Sequence, residues 1–234
     1  MKNQYSEDFD EILDTDKIMS YTESFKNSKP FRHAYIQRIF KKDFYDKLYE
    51  TFPKYDNTWF VNNDYRRSAR TRSFYSKEDN EPTYDHNLSS EWNKMKQFIC
   101  SQQFLDIFSK FLGIKFSTVY ESGFFANKKG DFQLPHIDEE GEYQFKIQCM
   151  FYFSKRWQKG DPGGTYLCKS DDEESLFFEP YDLDNSMVCF EETPDSIDWD
   201  KWLGSAQLRP YNKGLISTSF FPRWRWYKEF GGGI

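Results

Sequence analysis

A histidine and an aspartate stand one residue apart in the segment LPHID, residues 134–138. On a β-strand, side chains at positions i and i+2 point to the same face, so His136 and Asp138 could reach one cation together. An imidazole and a carboxylate are both ordinary ligands of divalent metal ions. The spacing therefore indicates half of a metal site, although such a pair also occurs by chance in many proteins.

The remaining cysteines and histidines do not complete a site by their spacing. The four cysteines, at positions 100, 149, 168 and 189, lack the CxxC pattern of zinc sites, which favours reduced, buried thiols in a cytoplasmic protein. The other histidines, His33 and His86, both precede the strand-rich half of the chain. The net charge of −6 is unlike that of a general nucleic-acid binder.

The amino-terminal residues 1–29 are polar and charged, with a few apolar residues among them. We expect them to form either a loosely held arm or a short helix. This region has no continuous apolar core, so neither a signal peptide nor a transmembrane helix is expected here. No later stretch is apolar enough to span a membrane, so we expect no membrane partner.

Helical spacing precedes strand-like patterns along the rest of the chain. Residues 42–52 are predicted to form one helix that stops at Pro53, and residues 90–112 a second helix that ends at Gly113. After Ile114, short apolar segments alternate with turn residues. The predicted strands cover residues 116–121, 123–127, 143–154, 164–169, 174–179, 186–192 and 214–221.

This order of elements predicts an α+β fold that is mainly β, in which helices support an antiparallel barrel or sandwich. The aromatic content of 21% favours a core built from Phe, Tyr and Trp on pleated surfaces. We expect one domain over residues 30–234 after the polar arm, with a helical buttress at about 42–112 and a barrel at about 114–222.

Several segments, taken in chain order, resemble the iron(II)- and 2-oxoglutarate-dependent oxygenases of the branch related to prolyl hydroxylases. They are PFRHAYIQRIFKKDFYDKLYETFP, GDFQLPHIDEEGEYQFKIQCMFYFSKRWQKGDPGGTYLCKS, NSMVCFEETPDSID and KGLISTSFF. The resemblance covers roughly residues 30–222 and implies a double-stranded β-helix. It also implies that iron(II) is held by two histidines and a carboxylate, with 2-oxoglutarate on the metal.

By position in this resemblance, His136 and Asp138 are the first two metal ligands. The position of the second histidine falls in the segment TPDSID and is occupied by Asp198. A site with one imidazole and two carboxylates favours harder ions such as manganese or magnesium over iron. Two alternatives stay open: a solvent-exposed Asp198, or a two-ligand site with water in the third position.

The resemblance also assigns the cosubstrate anchor. Lys213 stands at the start of the last predicted strand, where the family places the cation that pairs with the distal carboxylate of 2-oxoglutarate. Ser217, on the same strand face, is implied as a hydrogen-bonding partner, and Arg209 is a second candidate for the cation. A lysine before a strand is otherwise a common solvated residue.

The segment RRSARTR contains four arginines, Arg66, Arg67, Arg70 and Arg72. They suit an anionic small-molecule or carrier-bound substrate, because guanidinium groups bind carboxylates and phosphates in a bidentate manner. A solvated loop paired with nearby acidic residues is the alternative. The tail FPRWRWYKEF could stack on bases, but the negative net charge makes nucleic acid a minor hypothesis.

Two functions follow from these observations. One is a hydroxylase with an altered His136, Asp138 and Asp198 site. The other is an inactive protein of the same fold that acts as a binding or regulatory partner. The sequence defines neither the substrate nor the oligomeric state.

Overall fold

The computed structural model describes residues 9–63, 67–76, 82–126, 132–133, 146–157, 164–169, 175–192 and 214–221. The helices are α1 (Thr15–Ser20), α2 (Thr22–Asn27), α3 (Lys42–Glu50), α4 (Ser90–Ile99) and α5 (Gln102–Leu112). The strands are β1 (His33–Gln37), β2 (Phe60–Asn63), β3 (Arg67–Ser76), β4 (Phe116–Ala126), β5 (Phe132–Gln133), β6 (Lys146–Phe153), β7 (Leu167–Cys168), β8 (Leu176–Phe178), β9 (Asp184–Glu192) and β10 (Gly214–Phe221).

The described part of the amino-terminal segment, from Phe9 onward, contains two short helices. Of the two expected alternatives, it is therefore helical and not a loosely held arm. Ile18 of α1 and Phe25 of α2 are fully buried. Asp14 accepts a hydrogen bond from the backbone N–H of Lys17, which caps the first of these helices. These helices therefore belong to the main core.

The helix predicted over residues 42–52 is confirmed as α3, with Phe44 and Leu48 buried at helical spacing. The single helix predicted over residues 90–112 is wrong, because the chain breaks at Cys100 and Ser101 into α4 and α5. The Ser101 hydroxyl accepts a hydrogen bond from the Phe104 N–H at 3.2 Å and starts a new helix. The apolar spacing continues across this break. For this reason, the sequence pattern predicted one helix instead of two. Gly113 ends α5 with φ of 70°, as predicted.

The strand predictions differ from the structure mainly in the first half of the chain. β4 is one continuous strand where two were expected, and Gly123 lies inside it. β2 and β3 were not predicted, because the polar sequence around the arginine-rich segment reads as a loop. The arginine-rich segment is a strand, β3, because it pairs with β2, β4 and β5. Of the later strands, β6, β7 and β8 fall in the predicted segments, β9 begins two residues before the predicted 186–192, and β10 has the predicted bounds.

The main sheet has the strand order β1-β9-β6-β10-β4-β3-β2, and β5 pairs with β3. Most pairs are antiparallel, but β10 runs parallel to both β6 and β4, which departs from the all-antiparallel expectation. β7 and β8 form a separate two-stranded sheet. The described strands do not close into a barrel. The described part of the chain is an α+β fold with more strand than helix.

Strand alternation divides the core between the two faces of the main sheet. On one face, Ile147, Cys149, Phe151 and Phe153 of β6 pack into the large cluster that contains the helices. On the other face, Tyr152 joins a smaller cluster with residues of the two-stranded sheet and the loops beside it. We refer to these as the helix face and the open face. β6 is thus buried on both sides.

A buried ion pair ties the segment before β1 to the end of β9. Arg32 donates two hydrogen bonds to the Glu191 carboxylate, at 2.6 and 2.5 Å, and the Glu191 side chain is 7% exposed. The hydrogen bond to Glu191 raises the pKa of Arg32. The Arg32 guanidinium also lies 5.7 Å from the centre of the Phe25 ring, so the pair connects α2 to the sheet.

We expect Arg32→Met to lower the free energy of unfolding by roughly 3 kcal/mol, because it leaves the buried Glu191 carboxylate without its partner. Urea unfolding followed by circular dichroism measures this change. The matched control is Lys26→Met, which removes an ion pair with Glu23 whose side chains are 44% and 77% exposed. That control should change stability by less than about 1 kcal/mol. Equal effects of the two variants would contradict the structural role of the Arg32 pair.

Replacement of the cap between the two central helices gives a second test. Ser101→Ala should cost about 1 kcal/mol, because it removes the acceptor for the Phe104 N–H. Ser90 lies in the first turn of α4 and its hydroxyl contacts only the exposed Glu91 carboxylate, so Ser90→Ala serves as the control. If a continuous helix formed in solution, Ser101→Ala would stabilise the protein, since alanine favours helix interiors.

Candidate functional site

Most of the predicted ligands lie outside the described residues, so the site is located from the strands that flank them. His136, Asp138, Asp198, Lys213 and Arg66 belong to this group. The fallback cation Arg209 does too. Ser217 lies in β10, although its side chain is not among those described.

The flanking strands give two anchor regions. Gln133 of β5 pairs with Arg67 of β3. This pair lies just beyond the end of the sheet at which β4 finishes with Ala126. Glu192 of β9 pairs with Lys146 of β6 at the opposite end of the sheet. The segment that contains His136 and Asp138 therefore begins near one end of the sheet and returns to β6 at the other. The segment that contains Asp198 begins at that second end.

The last strand attaches at this second end as well. Gly214 of β10 pairs with Phe116, the first residue of β4, and Leu215 pairs with Lys146. Neighbouring strands are about 4.8 Å apart, so the starts of β6 and β10 and the end of β9 lie within roughly 10 Å. Lys213 directly precedes Gly214 in the sequence.

The described residues cover the two faces of the main sheet to different extents. The helix face is filled by fully buried side chains, among them Trp92 of α4, Phe108 of α5 and Phe124 of β4. The other face, the open face, is less completely covered in the described part of the chain. There, the described residues of β4 and β3 are only partly covered: Glu121 and Ser73 are exposed and Phe125 is half-buried.

On β6, the open face is lined by Gln148, Met150 and Tyr152. Tyr152 is fully buried, and its hydroxyl donates to the Thr165 hydroxyl at 2.5 Å. Burial raises the pKa of the Tyr152 phenol, so the group is protonated at neutral pH and acts as a donor. Gln148 is 2% exposed.

The two arginines of β3 whose side chains are described point away from the open face. Arg72 pairs in register with Phe124 and Arg70 with Ala126, and both of these partners lie in the helix-face core. Arg72 forms an ion pair of 3.2 Å with Asp85. The Arg70 guanidinium lies 5.8 Å from the centre of the Tyr55 ring. The hypothesis of an anionic substrate therefore rests on Arg66 and Arg67.

The described histidines lie in aromatic surroundings. His33 of β1 has Phe177 and Phe178 at ring-centre distances of 5.3 and 5.9 Å. Its Nδ1 atom lies 2.9 Å from the Phe31 carbonyl oxygen and donates to it, since a carbonyl oxygen only accepts. Within the described ranges, no three His, Cys, Asp or Glu side chains come together as a metal site.

Two of the cysteines mark the centre of the helix face. Cys149 and Cys189 are directly paired across β6 and β9, with their sulfur atoms 3.5 Å apart, and both are fully buried. Burial raises the pKa of the Cys149 thiol well above its usual value. Burial likewise raises the pKa of Cys100 to about 12. Because thiolates are the reactive form, these groups are suited to packing and not to nucleophilic chemistry.

The comparisons with known proteins leave the family open. No protein-family model matches the chain, and no curated protein matches it either. The oxygenase resemblance therefore rests on the order of its motifs. No helix in the described part of the chain has the length and apolar character needed to cross a bilayer.

Thiol labelling tests the division between the two faces. Iodoacetamide at pH 8 should leave Cys149 and Cys189 unmodified in the folded protein, because both side chains are fully buried and burial raises the pKa of the Cys149 thiol. Cys168 in the small sheet is partly exposed and should be labelled first, so it is the internal control. Peptide mass mapping identifies the modified residues. Labelling of Cys149 as fast as Cys168 would show that the contact between β6 and β9 is open to solvent.

Proposed function

We propose that this protein is an iron(II)/2-oxoglutarate-dependent oxygenase, most simply a hydroxylase, with an altered metal site formed by His136, Asp138 and Asp198. The observation that carries the proposal is the position of β6. This strand follows the His136 and Asp138 segment in the sequence, lies inside the sheet between β9 and β10, and is buried on both faces.

The strand order supports the finer part of the fold proposal, a double-stranded β-helix. The last strand, β10, lies between β6 and β4, so strands distant in sequence interleave in the sheet. The separate pair β7 and β8 contributes Leu167 and Phe178 to the cluster on the open face. Two sheets that face each other across a core are the arrangement of a jelly roll. The parallel direction of β10 differs from the usual jelly roll.

The proposed donor set suits a divalent cation. One imidazole and two carboxylates resemble the facial triad of non-haem iron proteins, with one histidine replaced by an aspartate. The two carboxylates neutralise the ion, and bound 2-oxoglutarate adds two further negative charges in a partly desolvated pocket. Lys213 is the group that would offset this charge. When bound, the iron would supply the oxidising chemistry, and the chain would hold and orient the ligands.

The substrate is proposed to be a small molecule or a carrier-bound group. Arg72 is engaged with Asp85, so an anionic substrate would have to be bound by other cations. Its identity is not defined by the residues on the open face.

A second function is favoured by one specific observation, the aspartate at the position of the second histidine. If Asp198 does not coordinate, the protein retains the fold without the redox chemistry and acts as a binding or regulatory partner. Under this alternative, His136→Ala leaves the biological activity unchanged.

Titration separates the two functions. Under anaerobic conditions, addition of iron(II) and 2-oxoglutarate to the oxygenase should produce a visible metal-to-ligand charge-transfer band. His136→Ala should abolish the band, because it removes the imidazole ligand. The absence of both the band and metal uptake in the wild-type protein would refute the oxygenase proposal.

Substitution at Asp198 tests the third ligand. Asp198→His should tighten 2-oxoglutarate binding by about tenfold, because it removes one negative charge and supplies the usual imidazole. Asp198→Ala should weaken metal binding. The matched control is Asp195→Ala in the same acidic segment, which should leave both affinities unchanged. If Asp198→Ala behaved like Asp195→Ala, Asp198 would not be a ligand.

A further inference from the structure

Two cysteines face each other across neighbouring strands inside the main sheet. Cys149 of β6 and Cys189 of β9 are direct partners in the antiparallel register of these strands. Their sulfur atoms lie 3.5 Å apart, and both side chains are fully buried in the helix-face core. The two thiol groups are therefore in direct contact.

The spacing of the two strands fits a covalent bond between these sulfur atoms. Direct partners on antiparallel strands have Cα atoms about 4.5 or 5.5 Å apart, depending on the hydrogen-bonding pattern. A disulfide accepts Cα separations of about 4.4–6.8 Å and has an S–S bond of about 2 Å. Both strand spacings fall in this range. Rotation of the two side chains can therefore bring the sulfur atoms to bonding distance while the register of β6 and β9 is kept.

The other two cysteines lie on different elements of the fold. Cys100 directly follows α4, and Cys168 lies in β7 of the small sheet. Both are partly exposed, whereas Cys149 and Cys189 are buried. The native contacts therefore favour one pairing among the four cysteines, that of Cys149 with Cys189.

We propose that Cys149 and Cys189 form a disulfide bond when the chain folds in the presence of a small disulfide oxidant such as oxidised glutathione. The thiolate of one cysteine attacks the oxidant and forms a mixed disulfide, with release of one reduced glutathione. The second cysteine attacks the mixed disulfide, the bond between the two protein sulfur atoms forms, and the second glutathione leaves. The two cysteines together lose two electrons and two protons, and one oxidised glutathione becomes two reduced molecules.

The burial of the pair determines when this reaction takes place. In the folded protein both thiols are shielded from solvent, and burial raises the pKa of Cys149, so little of its reactive thiolate is present. Thiol–disulfide exchange is therefore fast only before β6 and β9 are covered by the helices. Afterwards the same burial protects the disulfide from reductants. The redox state of the pair is thus set during folding and then retained.

The disulfide stabilises a long segment of the chain. The two cysteines are 40 positions apart, and the segment between them contains the small sheet of β7 and β8. A disulfide restricts such a segment in the unfolded chain, and its effect on stability is larger for long loops. The oxidised protein should therefore have a Tm about 5–15 °C above that of the reduced protein.

Refolding under two redox conditions tests the proposal. The denatured and reduced protein is refolded either with reduced and oxidised glutathione or with dithiothreitol alone. Free thiols are then blocked with iodoacetamide under denaturing conditions. Peptide mass mapping without reduction should show Cys149 linked to Cys189 in the glutathione sample alone, with Cys100 and Cys168 carrying no disulfide between them. Alkylated Cys149 and Cys189 in the glutathione sample would overturn the proposal.

Cys189→Ala and its matched control Cys168→Ala assign the effect on stability. The difference in Tm between oxidised and reduced protein should vanish in Cys189→Ala and persist in Cys168→Ala. A difference that persists in Cys189→Ala would overturn the assignment to this pair. If Cys189→Ala does not fold, the mapping of the wild-type protein decides, since it needs no substitution. If the wild-type chain does not refold, expression in the bacterial periplasm replaces the refolding step.

Protection by burial is measured on the oxidised wild-type protein. In dithiothreitol, the disulfide should be reduced far more slowly in the native protein than in urea. Equal rates would show that burial does not preserve the redox state. None of these measurements uses iron or 2-oxoglutarate, so their outcome is independent of the proposed function.

Discussion

The burial of β6 on both faces is the constraint on which the rest of the structure depends. Phe151 and Phe153 on one side and Tyr152 on the other are all fully buried, so neither face of this strand can be left to solvent. The helices α3, α4 and α5 cover one face, and the small sheet of β7 and β8 covers part of the other. A one-residue slip of β6 would exchange its two faces and bury the wrong side chains in each cluster.

The edges of the arrangement are held by polar contacts. Arg32 binds Glu191 at the end of β9, and Asn185 at its start accepts from the Phe40 N–H and donates to the Phe40 carbonyl at 2.9 and 3.0 Å. Asn185 has φ of 47°, a conformation that asparagine tolerates better than most residues. These contacts fix both ends of β9 against the amino-terminal part of the chain. The segment that contains Asp198 thus leaves from a well-anchored strand end.

Local patterns were sufficient for elements whose signal lies within a few neighbouring residues. Phe44 and Leu48 at helical spacing predicted α3, and Gly113 predicted the end of α5. The interruption at Ser101 could not be read in this way, because Phe98 and Phe104 on its two sides both pack into the same core. β3 was missed for a different reason. Its arginines and serines carry no strand signal of their own, and its conformation comes from hydrogen bonds to β2, β4 and β5.

The sequence by itself determined the chemical groups of the candidate site and their order: an imidazole and a carboxylate at His136 and Asp138, a carboxylate at Asp198 and a cation at Lys213. It also predicted, from an apolar run over residues 143–154, the strand that the structure shows as β6. Only the tertiary structure decided which strands are neighbours and which face of the main sheet is less completely covered. The reason is that register and strand order depend on contacts between residues far apart in the chain, as between Lys146, Glu192 and Leu215.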